Sequence, residues 1–216
     1  MEITKPLDDH ELYVVYDVFD PELVKKFVNV YTARALYSES NGGKVVVNEV
    51  DRHHLGTTLL MPEDMFGIEN EDDHFKQMVE TLQQIMMDLY PDVKVARQDA
   101  ETGIVIRAPG GGLLQGLMQP HTDGPPENLP PEHGIKSIGG LFYLNDDFDG
   151  GELYYPDIGF DFKPVPNSFV IHLGEAPYRH GVREITNGWR FHFGLFSFEE
   201  YDPMNWAVYR DSLDNK

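Results

Sequence analysis

The sequence predicts a mainly β chain with helical support at its N-terminal end, an α+β arrangement, and three observations carry that expectation. After residue 93, short β-type runs follow one another at 102–107, 113–119, 137–144, 152–155, 168–173, 180–186 and 189–198. Gly, Pro, Asn and Asp punctuate these runs, the pattern of a sandwich, barrel or jelly roll. Before residue 93, two segments instead place apolar side chains at helical spacing.

Taken in order, residues 13–19 are apolar and β-branched and read as a strand. Asp20-Pro21-Glu22 then opens a helix. Asp20 can cap, Pro21 fits the first turn and Glu22 suits the positive end of the helix dipole. Leu23, Phe27, Val30, Tyr31 and Arg34 continue it to about Leu36. Residues 45–50 read as a short strand, and 64–73 as an acidic surface loop. A second helix is expected from about Asp73 to Tyr90, with Phe75, Met78, Val79, Leu82, Ile85, Met86 and Leu89 on one face and Pro91 ending it. Residues 124–134 hold four prolines and read as an extended loop. The whole is read as a single domain over 1–216: support over about 1–92, a β core over about 93–200 and a C-terminal tail over 201–216.

Composition narrows the function. The net charge is −20, from 37 acidic and 17 basic residues. Such a surface repels phosphate backbones and anionic lipids, so nucleic acid is a disfavoured partner. With no cysteine, disulfides, zinc-thiolate sites and thiol nucleophiles are excluded. Residues 1–10 lack the basic start and apolar run of a signal peptide, and no apolar stretch is long enough to span a bilayer. The expected compartment is the cytoplasm.

The chemistry concentrates at His121-Thr-Asp123. Residues two apart in a strand share a face, so one imidazole and one carboxylate converge without a special loop. A third ligand would complete a set of two His and one carboxylate, which suits non-haem iron and leaves positions open for exogenous ligands. Of the nine histidines, His180 is the choice, at the start of the run 180–186. His10 and His74 sit in acidic, exposed surroundings, and His53 and His54 are neighbours that would point apart. His172, in an apolar strand, and His192, between Phe191 and Phe193, read as structural.

Downstream, Arg190 follows His180 by ten residues, and a guanidinium can hold the far carboxylate of a chelating diacid through its fork. If 180–184 and 190–198 form a hairpin, a loop of Thr186-Asn187-Gly188 with Gly188 left-handed pairs Glu184 with Arg190 and puts His180, Arg190 and His192 on one face. The span from residue 180 to 184, ~13 Å at ~3.4 Å per residue, fits a five-carbon diacid and an arginine together.

Six pieces now stand in order: Ile104-Val-Ile-Arg-Ala-Pro-Gly-Gly-Gly112, His121-Thr-Asp123, Leu141-Phe-Tyr-Leu-Asn145, Gly150-Gly-Glu152, Pro166-Asn-Ser-Phe-Val170 and His180 through Arg190. Over roughly residues 100–198 the chain resembles the Fe(II)/2-oxoglutarate-dependent dioxygenases, and among them the prolyl 4-hydroxylase-like branch. The resemblance implies a double-stranded β-helix, a cupin-like distorted jelly roll. It matches His121, Asp123 and His180 to the metal ligands, Arg190 to the residue that binds the distal carboxylate of 2-oxoglutarate, and Tyr143 to a hydroxyl that supports that carboxylate. It further implies Fe(II), 2-oxoglutarate and dioxygen (O2) as cofactor and cosubstrates, with ascorbate in support, and hydroxylation of an unactivated C–H bond with succinate and CO2 as co-products. Asp123 favours hydroxylation over halogenation. Ala108 departs from the tyrosine that relatives often carry there. A peptidyl residue, proline first, is the expected substrate. The alternatives are a free amino acid or small metabolite, or a jelly roll that binds a metal or partner without turnover.

Overall fold

The computed structural model describes residues 1–40, 71–93, 95–100, 105–107, 118–123 and 137–199. Two strands, β1 (Glu2–Thr4) and β2 (Leu12–Tyr16), precede two helices, α1 (Pro21–Ser40) and α2 (Glu71–Leu89). Eleven strands follow: β3 (Val95–Ala100), β4 (Val105–Arg107), β5 (Met118–His121), β6 (Ser137–Tyr143), β7 (Asp149–Gly150), β8 (Leu153–Tyr155), β9 (Phe160–Phe162), β10 (Ser168–Leu173), β11 (His180–Val182), β12 (Ile185–Asn187) and β13 (Arg190–Glu199). The seven-stranded sheet runs β1-β2-β10-β6-β13-β3, with β4 also on β13; a four-stranded sheet runs β5-β11-β8-β9; β12 and β7 form a short ribbon. Every pairing is antiparallel.

The two faces of the large sheet have different partners, and strand alternation decides which residue meets which. Phe169, Phe142 and Phe193 sit at matching positions of β10, β6 and β13 and pack with Val24 and Phe27 of α1 and Met78, Leu82 and Met86 of α2. The α1 start is capped as its sequence implies: the Glu22 amide donates to Asp20 Oδ1 at 2.9 Å. Side chains one position along point the other way. Leu12, Val14, Tyr143 and Val170 form a second buried cluster with Leu153, Tyr155, Phe162 and Val182 of the small sheet. The interior between the sheets is therefore built from residues that β-alternation turns away from the helices, and the candidate site lies there.

Several expectations shift. Residues 71–73, expected in a loop, begin α2, and α1 continues beyond Leu36 to Ser40. The short strands β1, β3, β7 and β9 had no strand reading; Val95–Ala100 carries Arg97, Gln98 and Asp99 and lacks the apolar run that marks one. The expected strand over 45–50, the loop 124–134, Ala108 and the tail 201–216 lie outside the described residues. The hairpin joining 180–184 to 190–198 does not form. β12 pairs with β7, matching Ile185 to Gly150 and Asn187 to Asp149, while β13 pairs with β6, β4 and β3. Both edges of β11 are taken by β5 and β8, so the chain leaves the small sheet after Val182 and joins the large one at Arg190. Gly188 is left-handed as expected, at φ 78°, but it turns a crossing between sheets. No helix among the described residues is long and apolar enough to cross a membrane.

Candidate metal centre

β5 and β11 are neighbours, and His180 lies directly across from His121 in their ladder. Opposed residues in an antiparallel pair project to one side, so register alone brings the two imidazoles together, with ring centroids 4.7 Å apart. β5 ends at His121, and Asp123 sits in the bend just after it. The carboxylate thus arrives by a turn and not by strand alternation, but it arrives: Asp123 Oδ1 is 3.6 Å from His121 Nε2 and Oδ2 is 3.7 Å from His180 Nε2. The three donor atoms lie within 4.8 Å of one another.

The tautomers favour a cation. His121 Nδ1 lies 3.0 Å from the Gln119 carbonyl and His180 Nδ1 3.1 Å from the Tyr178 carbonyl. A carbonyl only accepts, so each Nδ1 is the donor and each Nε2 presents a bare lone pair to the cluster. Burial pushes the His180 imidazole down to about 4, with His172 and His121 pushing the same way against Asp123, so this ring is neutral and ready to ligate at physiological pH. Two imidazole nitrogens and a carboxylate form a donor set that fits a divalent transition metal.

His172, read from sequence as structural, belongs to this neighbourhood. It is fully buried, and its Nε2 lies 3.6 Å from Asp123 Oδ2. Its ring is 4.5 Å from that of His180. Tyr155 flanks both, 5.5 Å from His172 and 5.6 Å from His180. Burial, with Tyr143 and Asp123 adding to it, pushes the Tyr155 hydroxyl well up. The alternation Ser168, Val170, His172 in β10, set against Phe169 and Ile171 on the helix side, was the sequence signal for its inward aim. Side-chain exposure falls from 40% at His121 through 10% at Asp123 to 4% at His180 and 0% at His172, so the cluster opens to solvent on the β5 side.

Arg190 is fully buried. Its Nη1 donates to the Gly151 carbonyl at 3.0 Å, and its guanidinium carbon lies 5.4 Å from the Tyr143 ring centre. Tyr143 in turn stacks on His192, at 6.1 Å, and sits across from it in the β6–β13 ladder. Arg190, Tyr143 and His192 therefore occupy the inter-sheet interior together. Gly150 lets the β7 backbone lie close against the chain at Glu184: it has φ 77°, and a Cβ there would collide with the Glu184 carbonyl. Asn145 fixes the start of β13, donating to the Trp189 carbonyl at 2.7 Å and accepting from the Phe191 amide at 2.7 Å. These bonds clamp the backbone on both sides of Arg190.

Among solved structures, a Pseudomonas putida prolyl-4-hydroxylase superposes with TM-score 0.57 at 15% identity, covering 88% of this chain and 94% of its own. The viral collagen prolyl hydroxylase of Paramecium bursaria Chlorella virus-1, solved as a 2OG complex, superposes with TM-score 0.54 at 10% identity, covering 91% and 99%. The chain has the fold of these prolyl hydroxylases. That fold, the double-stranded β-helix, is the one the sequence motifs implied. Among curated proteins the chain is 28% identical over 90 residues to prolyl 3-hydroxylase 2 of Mus musculus, and 28% over 91 residues to prolyl 3-hydroxylase 3 of the same species. Each match takes in 39% of this chain and 12% of the relative's length. No family model matches the chain.

Proposed function

We propose that this protein is an Fe(II)/2-oxoglutarate-dependent dioxygenase that hydroxylates an unactivated C–H bond, on a peptidyl residue such as proline. The observation that carries the proposal is the convergence of His121 Nε2, an Asp123 oxygen and His180 Nε2 within 4.8 Å, on a fold shared with prolyl hydroxylases. The two imidazole tautomers are already set for ligation.

In this reading His121, Asp123 and His180 hold the Fe(II) ion. Bound iron with 2-oxoglutarate and O2 would supply the oxidising power, with succinate and CO2 as co-products. The protein's share is binding, orientation and exclusion of water. Arg190 supplies the cation for the distal carboxylate of 2-oxoglutarate, where a buried fork-to-carboxylate pair is strong and directional. Tyr143, whose ring lies against that guanidinium, supplies a hydroxyl to the same carboxylate. The interior formed by Tyr143, Tyr155, Leu153 and Val182 is buried, which keeps the reacting centre dry. The half-exposed His121 side is where a peptide would approach. The choice of proline rests on the names of the relatives, prolyl 3-hydroxylases and prolyl 4-hydroxylases.

The test is succinate release by purified protein supplied with iron(II), ascorbate, 2-oxoglutarate and a panel of proline-containing peptides. We expect release that a hydroxylatable peptide stimulates and that His121→Ala or Asp123→Ala abolishes. Unaltered release from either variant would refute the assignment.

A further inference from the structure

Tyr155 stands in the row of the metal-site histidines. The β5–β11 ladder sets His180 across from His121. The β11–β8 ladder matches Gly181 to Tyr154 and Val182 to Leu153, which brings Tyr155 to the other side of His180. The three side chains share the inner face of the small sheet. The Tyr155 ring is held on three sides: by His172 at 5.5 Å, by His180 at 5.6 Å and by Phe160, its partner on β9, at 6.0 Å. Packing fixes the direction of the ring, and the hydroxyl is aimed with it.

That hydroxyl is buried and has no hydrogen-bond partner among the described residues. A buried tyrosine ordinarily finds one, because an unpaired O–H has given up water without replacement. The acceptors nearby are unused. His172 Nε2 is also without a partner, so the hydroxyl does not reach it, and it makes no bond to Asp123. Burial pushes the hydroxyl well up, and Tyr143 and then Asp123 add to this. The oxygen is thus near enough to be felt from the Arg190 end of the interior, where Tyr143 lies, and from the metal end. It is a protonated donor, and what it fits is an anionic acceptor from outside the chain.

We propose that Tyr155 is a further binding residue for 2-oxoglutarate, beside Arg190 and Tyr143, and that its hydroxyl donates to the carboxylate at the keto-acid end. Arg190 and Tyr143 serve the distal carboxylate. Tyr155, next to His180, stands at the metal end, where a chelating keto acid keeps one carboxylate oxygen free of the metal. The inference rests on the proposed function and deepens it: the cosubstrate has a donor at each end, and the open positions of a three-ligand metal site stay open.

The test compares wild type with Tyr155→Phe, which removes one oxygen and keeps the ring. Calorimetry on the manganese(II)-loaded proteins measures 2-oxoglutarate binding. We expect Tyr155→Phe to weaken it about tenfold or more, as for a lost bond to a charged group, with manganese affinity within twofold. Zinc(II)-loaded protein carrying tyrosines labelled with carbon-13 at Cζ gives a direct readout: the resonance absent from Tyr155→Phe should move when 2-oxoglutarate is added to wild type. The ligand-free variant should unfold at or above the wild-type temperature, since no bond is lost. A 2-oxoglutarate affinity within twofold of wild type, or a Tyr155 resonance that does not move, overturns the inference and leaves the proposed function standing. A ligand-free variant that unfolds at a lower temperature assigns the hydroxyl a structural partner and overturns it too. A wild type that binds manganese(II) but no 2-oxoglutarate overturns both.

Discussion

Gly139→Ala isolates the metal site from the rest of the fold. A methyl group at residue 139 would sit 2.8 Å from His172 Cε1, where ordinary contact begins at 3.4 Å, and Asp123 Oδ2 is nearer still. The carboxylate must therefore retreat by more than about 0.6 Å, whereas metal–ligand distances tolerate about 0.2 Å. Losing a well-placed carboxylate should weaken the metal roughly a hundredfold, about 2.7 kcal/mol. The assay is thermal unfolding with and without added manganese(II) at a hundred times the wild-type Kd. Ligand linkage then stabilises wild type by about 2.7 kcal/mol, and a hundredfold weaker variant by about 0.4 kcal/mol. For a chain of this size those values correspond to rises in Tm of about 5 to 10 °C and about 1 °C. The metal-free Tm should change far less, because Gly139 is not in a left-handed conformation and alanine restricts the unfolded chain. An equal metal-induced rise in both proteins would refute the reasoning, and so would a collapse of the metal-free variant.

Other perturbations separate the remaining parts. Arg190→Lys keeps the charge but loses the fork, and should raise the 2-oxoglutarate requirement about 10- to 100-fold, as expected for a lost charge-assisted bond, with manganese binding changed less than threefold; titrations of both ligands check this. Asn145→Ala removes the clamp on Trp189 and Phe191 and leaves buried backbone groups unpaired. Urea denaturation should show a loss of about 2 kcal/mol, and the 2-oxoglutarate requirement should rise with it. The buried His180 imidazole has its pKa depressed from 6.5 to about 4, and burial also lowers that of His172. Between those two pH values the unfolded chain binds the protons that the folded chain refuses. Stability of the metal-free protein should thus be level with respect to these groups above about pH 6.5 and fall as pH drops towards 4. His180→Phe should flatten that slope in pH-dependent urea unfolding; an unchanged slope removes His180 as its source.

The parts of the fold set by local chemistry were legible. The Asp20-Pro21-Glu22 cap and the apolar face of residues 75–89 announce their helices, and β10 spans residues 168–173 as its short β-type run implies. What escaped was set by pairing at a distance. β3 carries Arg97, Gln98 and Asp99 and is a strand because β13 offers it an edge. The expected hairpin at Asn187-Gly188 has suitable turn residues, yet β7 captures 185–187, and no local rule reveals such competition. The same division runs through the site. His121, Asp123 and His180 were named from spacing and resemblance; the β5–β11 register brings the two imidazoles together and the bend after β5 adds the carboxylate. Arg190 and His192 were placed inside for a wrong reason, since facing sheets and not a shared hairpin bury them. His172 was set aside because an isolated histidine in an apolar strand is usually a core residue. Only the placement of β10 opposite the β5 end reveals its neighbour.

Absorption spectroscopy under anaerobic conditions bears most directly on the central claim. Addition of one equivalent each of iron(II) and 2-oxoglutarate should produce a visible charge-transfer band, the signature of an α-keto acid chelated to iron(II). The band should saturate at one iron per chain, vanish in His180→Ala and need far more 2-oxoglutarate in Arg190→Lys. A wild-type protein that binds iron(II) but yields no band at saturating 2-oxoglutarate would contradict the proposed function.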